Sequence, residues 1–244
     1  EPAYSRNYNF AVMYNNNLTK LKIDYWNIKF KDRIELESTQ TILNSDPYGD
    51  RVTRNDEDDL MAVTGTYFNE ASTLLSGYDV SFNYSKNFKN LLFSYTLNAS
   101  RIDKFLTPNN SNTQLINRSG YFNYDNHTFS MPKNRINTFL EIKYPNNSIN
   151  INTRYIDSYF NKRPLNENAI QLGYSNKIKS FFVLDASVSR IIEINSIQFK
   201  TKIYCLNVFD KSAPKLYDAP DFSFDTRVHD PTGRIVGINF EYEF

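Results

Sequence analysis

Nine stretches of this sequence alternate apolar and polar residues with a period of two, and the gaps between them are short and long in strict turn. The stretches are 7–14, 18–30, 70–86, 89–103, 134–144, 148–160, 179–190, 196–208 and 234–244. A period of two places successive side chains on opposite faces of a strand. In "RINTFLEIKY", Ile136, Thr138, Leu140, Ile142 and Tyr144 share one face, against Asn137, Glu141 and Lys143. The connections run "NNN" (15–17), 31–69, a tight turn near Asn87, 104–133, "PNN" (145–147), 161–178, 191–195 and 209–232. A soluble β-sandwich adhesin, the competing class, has no reason to gather every long loop at one end. A barrel crossing an outer membrane does, with short turns on the inside and long loops outside. The predicted fold is all-β, an antiparallel transmembrane β-barrel.

Composition removes other classes. Mean hydropathy is −0.57, and apolar runs are as short as "FFVL" at 181–184 and "FAVMY" at 10–14, far short of the ~20 residues of a membrane helix. That leaves a barrel open, because its strands show only alternate residues to lipid. A net charge of +1 lacks the basic excess that nucleic acid demands. The single cysteine, Cys205, excludes both an internal disulfide framework and a Cys-based zinc cluster. No nucleophile elbow, zincin helix or P-loop is present, so no catalytic residue, cofactor or metal is assigned. "RNDEDD" (54–59) gathers four carboxylates without the Gly-turn spacing of a calcium loop, and charge runs of this kind are solvated loop faces. His127 and His229 sit in separate long loops and make no metal centre.

Two local features refine the picture. Strand 18–30 changes parity, from Leu21, Ile23 and Tyr25 to Trp26, Ile28 and Phe30, which predicts a bulge or an exit from the sheet there. The last strand, "GRIVGINFEYEF", keeps Val236, Ile238, Phe240, Tyr242 and Phe244 on one parity, with Ile235 off it. Nine strands is an odd number, and bare edges at 7–14 and 234–244 are very costly in hydrocarbon. The expectation is an open arc of about nine strands from a larger barrel. A chain that begins at Glu1 fits a mature product or a piece of a longer protein.

Several segments resemble a known family. "EPAYSRNYNFAVMY" is similar to the "P-x-x-S-x-x-Y" start of a descending strand in TonB-dependent outer-membrane receptors. "LKIDYWNIKFKDRI" resembles the strand that follows it. "YFNEASTLLSGYDVSFNY" carries Asn69, Gly77 and Asp79 where that family has them. "LNVFDKSAP" (206–214) resembles the "N-L-F-D-K-x-P" box, and "HDPTGRIVGINFEYEF" the closing "D-P-x-G-R … F". The order and the loop lengths between the five also match. The resemblance implies that residues 1–244 are the C-terminal portion of a 22-strand barrel, with the plug domain, the TonB-binding box and about 13 strands outside this sequence.

The function implied is that of a receptor in the outer membrane of a Gram-negative bacterium. It would bind a scarce, bulky solute (a ferric siderophore, cobalamin or an oligosaccharide) and import it with TonB-coupled energy. A passive porin or structural barrel is the alternative. The implied partners are outer-membrane lipid, the TonB complex acting through the plug, an extracellular solute and the barrel-assembly machinery. That machinery would read Phe240, Tyr242 and Phe244 as an assembly signal, although an ordinary strand ending on Phe looks the same. Aromatic stretches 120–129 and 215–224 offer Tyr121, Tyr124, Asp125, Tyr217, Asp218 and Phe222 for ligand capture. The same rings would equally serve loop packing or an interfacial girdle. Asp79, Glu141, Lys143, Arg154, Asp185, Lys200 and Lys202 are expected to face the lumen and the plug, their mixed signs fitting plug contact better than a selectivity ring.

Overall fold

The computed structural model describes residues 2–37, 39–70, 72–109, 112–123, 129–194, 197–217, 219 and 222–243. Nine long strands carry the fold: β1 (Tyr4–Asn15), β2 (Thr19–Lys31), β3 (Thr73–Phe88), β4 (Leu91–Asn109), β5 (Asn134–Lys143), β6 (Asn147–Ile156), β7 (Phe181–Ile194), β8 (Ile197–Leu206) and β9 (Ile235–Glu243). Each pairs antiparallel with its sequence neighbours. The order is that of the chain, and β1 does not pair with β9. The result is an open all-β arc. All nine predicted strands are present, with ends displaced by a few residues. The turn expected near Asn87 falls at Lys89–Asn90 instead, because Lys89 takes the left-handed conformation (φ 52°) that closes it.

Register assigns every side chain to a face. Directly opposed residues point the same way, so Ile23, Val80, Ala99, Ile136, Tyr155 and Phe182 form one continuous row across six strands. Rows below it contain Leu21, Phe82, Leu97 and Leu184, then Ile142, Ile149, Val188, Ile203 and Ile238. Two hydroxyls that fall on this apolar face, Thr138 and Thr153, satisfy each other at 2.7 Å. The opposite face carries Asp24, Asp79, Ser100 and Arg135 in one row, and Lys202 with Asn239 in another. Many of these polar groups bond across strands, as in Ser100 to Asp79 at 2.6 Å and Ser148 with Ser189 at 2.6 Å.

Neither the bulge nor the exit from the sheet expected in β2 is there. Pairing runs unbroken through Tyr25 and Trp26 on both sides. What switches is the character of the faces. Beyond Tyr25, the formerly apolar side shows Asn27 and Lys29, while Trp26, Ile28 and Phe30 turn to the formerly polar side opposite Gly77, Leu75 and Thr73. The same exchange shows at Arg101 and Asn134, which occupy apolar-face positions and hydrogen-bond at 3.0 Å. A real register shift does occur one strand over, between Ser76 and Gly77 of β3 against β4. There Gly77 lets the Trp26 ring and the Arg101 carbonyl close over its α-carbon.

The long connections are built, not loose. The first holds ribbons Arg33–Leu36 with Tyr67–Glu70 and Val52–Arg54 with Leu60–Val63, and a short helix α1 (Thr39–Ser45) that buries Ile42. "RNDEDD" is the tip of the second ribbon, where Asn55 Oδ1 accepts from the backbone N–H of Glu57 and Asp59. Among the described residues, no three His, Cys, Asp or Glu side chains gather as metal ligands.

Gly77→Ala should lower unfolding stability by about 1–3 kcal/mol, as overpacked sites do. Trp26→Ala should not rescue it, since a backbone carbonyl is also in the way. At Gly237 the three atoms nearest to an added Cβ all belong to the Tyr204 side chain, so adding Tyr204→Ala to Gly237→Ala should recover the stability lost to that clash. Urea midpoints of the four variants in detergent check both statements.

Candidate functional site

Two regions bear on function, the polar face of the arc and the cluster of structure at its long-loop end. On the polar face, Lys200 pairs with Glu241 at 2.9 Å, and Arg154 reaches Asp185 at 3.5 Å and Asp230 at 3.9 Å. Glu141, Lys143, Lys200 and Lys202 line a hollow of about 350 Å³ near the turn 145–147. Asp185 and Lys202 line a neighbouring one of about 360 Å³ with Tyr204 and Asn239. All seven residues expected on this side have polar-face parity. Asp185 is committed locally, however. Its Oδ1 accepts from the backbone N–H of Asn207 at 2.8 Å.

That bond opens a latch made by the "LNVFDK" segment. Asn207, left-handed at φ 48°, donates from its amide to the Lys211 and Thr232 carbonyls at 3.0 Å each, and accepts from the Lys211 N–H at 2.8 Å. Asp210 accepts from the Arg234 N–H at 2.8 Å. Both ends of the connection 209–232 are thereby fastened to the sheet. Asp230, whose oxygen caps the Thr232 N–H at 2.9 Å, is held below the usual carboxylate range by those Thr232 bonds, with Arg154 adding to it.

Above the latch lies a small sheet, Tyr121–Asn123, Phe129–Ser130, Tyr159–Asn161 and Lys177–Ile178. It packs Phe122, Tyr159, Ile178 and Leu216 into a core shared by three long connections. Asn161 is fully buried and donates to the Tyr217 carbonyl at 2.9 Å. The short helix α2 (Glu167–Gln171) begins at Asn166, whose side chain accepts from the Ala169 N–H at 2.8 Å. It ends against Lys215, which donates to the Leu172 carbonyl at 2.6 Å, a favourable place for a cation. Between α2 and residues 216–223 opens a groove of about 510 Å³. Of the residues expected to capture ligand, Tyr217 and Phe222 line it. Tyr121 lies elsewhere in the small sheet, under the Lys162 ammonium at 4.3 Å. Tyr124, Asp125, His127, Asp218 and Phe244 lie outside the described residues.

His229, placed by the sequence in a long loop, is deeply packed there. It is 2% exposed, stacked on Tyr159 (5.8 Å, 11°) and edge-on to Phe181 (5.2 Å, 79°). Its Nε2 lies 3.1 Å from the Tyr159 hydroxyl, and its Nδ1 has no partner among the described residues. Asp225 ties this knot to the small sheet: its carboxylate accepts from the Ser130 hydroxyl and its backbone carbonyl from the His229 backbone N–H at 2.9 Å. Burial drives the His229 pKa down to about 4; the Asp225 charge opposes this and Arg135 reinforces it. Burial likewise holds the Tyr159 phenol above its usual range. No pattern in the sequence marks this residue, since an isolated histidine in a polar loop looks the same whether buried or not.

The sign of the pH effect follows. An unfolded histidine takes its proton near pH 6.5, so between pH 6.5 and 4 the open loops bind a proton that the packed cluster does not. Packing stability is complete above pH 6.5 and falls toward pH 4, by roughly 3 kcal/mol for this group. Protection factors of residues 156–178, taken from hydrogen-exchange rates corrected for their intrinsic pH dependence, should fall as pH is lowered across that window, and His229→Phe should flatten the dependence.

The sequence profile of the family described as TonB dependent receptor-like, beta-barrel matches residues 1–200. No curated protein matches by sequence. Solved structures do match by fold. The siderophore receptor PirA from Acinetobacter baumannii superposes with a TM-score of 0.60 at 15% identity, covering 100% of this chain and 32% of that one. The ferric enterobactin receptor PfeA from Pseudomonas aeruginosa gives 0.57 at 12%, covering 98% and 30%. The outer membrane transporter YddB from Escherichia coli gives 0.54 at 11%, covering 98% and 32%. The chain thus spans about a third of the length of these structures. A profile match over most of the sequence, on an open arc of nine antiparallel strands, makes this chain a member of the TonB-dependent receptor-like β-barrel family.

Proposed function

We propose that residues 1–244 form the C-terminal portion of the barrel of an outer-membrane importer, which takes up a scarce, bulky solute with TonB-coupled energy. The observation that carries this reading is the exchange of face character along the strands. One face is apolar only over a band, and it becomes polar at Asn27, Lys29, Arg101 and Asn134. A soluble sheet has no cause for such a boundary, whereas the outer edge of a bilayer creates one. From Tyr78 to Phe88 in β3, at about 3.3 Å per residue and a tilt of about 40°, the band is roughly 25 Å tall, the height of a barrel's lipid-facing belt. Lys86 falls at its lower margin, its ammonium 4.7 Å from the Phe88 ring, as a snorkelling lysine would.

The two bare edges fit the same reading. Strand β1 is exposed along its whole length, and an unpaired edge in hydrocarbon leaves costly unsatisfied backbone groups. Further strands of the larger barrel would cover it. The polar face, with its paired charges of both signs, would then surround a plug, and the long-loop end would face the outside. The fold relatives named for siderophores and iron support import. Their low identity leaves the choice among ferric siderophore, cobalamin and oligosaccharide to the loops.

Two measurements test the reading. Uptake of the solute by cells carrying the complete receptor should collapse when TonB is deleted or the inner membrane is de-energised; uptake that persists would mark a passive pore. Arg at the apolar face should be costly in proportion to depth. Phe82 lies mid-band, opposite Leu21 and Leu97, whereas Phe93 shares its row with the native Lys86. Phe82→Arg should therefore cost about 2–4 kcal/mol and Phe93→Arg at most about 1. Equal costs, read from unfolding in lipid, would remove lipid from that face.

A further inference from the structure

The outward wall just above the apolar band carries positive charge that this chain leaves unpaired. Positions facing the same way as the band continue upward through Tyr8, Asn27 and Lys104, then Arg6 and Lys29, then Tyr4 and Lys31. All four cations are exposed. Among the described residues, no hydrogen bond or ion pair engages Arg6, Lys29 or Lys104, and Lys31 approaches only the Tyr4 ring, at 5.6 Å. No carboxylate holds an outward ladder position in these rows. Asp103, at the register shift, lies 3.9 Å from Arg101, and Glu35, in the ribbon above, lies 2.9 Å from Arg33. Lys29 stands directly opposite Arg6. Like charges at opposed positions destabilise a sheet, so this pair calls for an anion from outside the chain.

Position decides which anion. At about 3.3 Å per residue and a tilt of about 40°, Lys104 stands roughly 5 Å above the Tyr25 row, and Arg6 and Lys29 roughly 10 Å above it. Lipid headgroups occupy about the first 5–8 Å beyond the hydrocarbon, within reach of side chains this long. Tyr25 and Tyr78, with ring centres 5.2 Å apart, mark the rim of the band, where tyrosines settle in membranes. The inner side at this height is apolar, with Trp26, Ile28 and Phe30, so the cations point away from the lumen. Arginine grips phosphate oxygens through its planar fork, and lysine adds a point charge. A monoester phosphate suits several cations at once, because it carries more than one negative charge at neutral pH. We propose that the outward wall of β1, β2 and β4 binds the phosphate headgroup of an anionic lipid in the outer leaflet. This rests on the reading that the apolar face meets lipid.

The complete receptor, in neutral detergent micelles, is titrated with dioleoyl phosphatidic acid, dioleoyl phosphatidylcholine and inorganic phosphate. Bound lipid is read by native mass spectrometry and by the shift in thermal midpoint. Phosphatidic acid should bind at least about tenfold tighter than phosphatidylcholine, and its effect on the midpoint should shrink as salt is raised. Lys29→Gln and Lys104→Gln should each weaken it about fivefold, the worth of one cation at an anionic surface, and Arg6→Gln at least as much. Lys86→Gln, at the opposite margin of the band, should leave it unchanged. Equal binding of the two lipids, an equal loss in Lys86→Gln, or displacement by inorganic phosphate at matched concentration would each overturn the proposal. So would a lower thermal midpoint in Arg6→Gln and Lys29→Gln with phosphatidic acid binding intact, the mark of a carboxylate supplied by a neighbouring strand. Equal costs of Phe82→Arg and Phe93→Arg would remove lipid from the whole face and this patch with it. Unequal costs without a preference for phosphatidic acid would sink the patch alone.

Discussion

Every feature of this chain depends on where its backbone N–H and C=O groups find partners. An antiparallel ladder satisfies them only between neighbours, and the chain meets this with eight successive pairings in sequence order. In water, a free edge is tolerated because solvent completes it. In hydrocarbon each unmatched group costs several kcal/mol, so an arc with edges at β1 and β9 has to be continued by more strands. The open order of the sheet therefore carries both the architecture and the proposal that a larger wall completes it.

The same ladder turns a simple sequence rule into two different surfaces. Because opposed residues share a face, apolar positions on nine strands merge into one band and polar positions into one wall. Where the band ends, the alternation keeps its period but exchanges its faces, at Tyr25 in β2 and near Arg101 and Asn134 in β4 and β5. Above that line, apolar side chains turn inward to loop structure: Phe105 is buried at 5% exposure, and Thr107, fully buried, accepts from the Arg118 guanidinium. In β2 unbroken pairing with exchanged faces lets one strand serve two environments, whereas in β4 the register shift against Ser76 and Gly77 brings Phe105 to the inner side.

The loops are ordered by polar anchors at their feet more than by their own apolar content. Asn207, Asp210 and Asp185 fasten the connection 209–232 to β7, β8 and β9 through backbone groups, which leaves the middle of that connection free to pack against the small sheet. The His229–Tyr159–Asp225–Ser130 knot then joins three connections distant in sequence. A buried, neutral histidine with one nitrogen unpartnered among the described residues is stable only while the cluster stays closed, so the packing of the whole loop end is tied to proton activity.

Local residue patterns sufficed for the nine strands, the short and long connections, the parity of Glu141, Lys143, Lys200 and Lys202, and the family. All of these follow from period-two alternation or from short contiguous motifs, which need no knowledge of distant contacts. The parity change at Trp26 was visible too, but a single strand cannot show whether a bulge or a change of surroundings causes it; the register of β1 and β3 decided that. The groove joining Tyr217 and Phe222 to α2, the burial of His229 and the commitment of Asp185 to Asn207 were decided by tertiary structure alone. Each depends on residues dozens of positions apart meeting at one end of the sheet, and no local spacing encodes which loops will meet there.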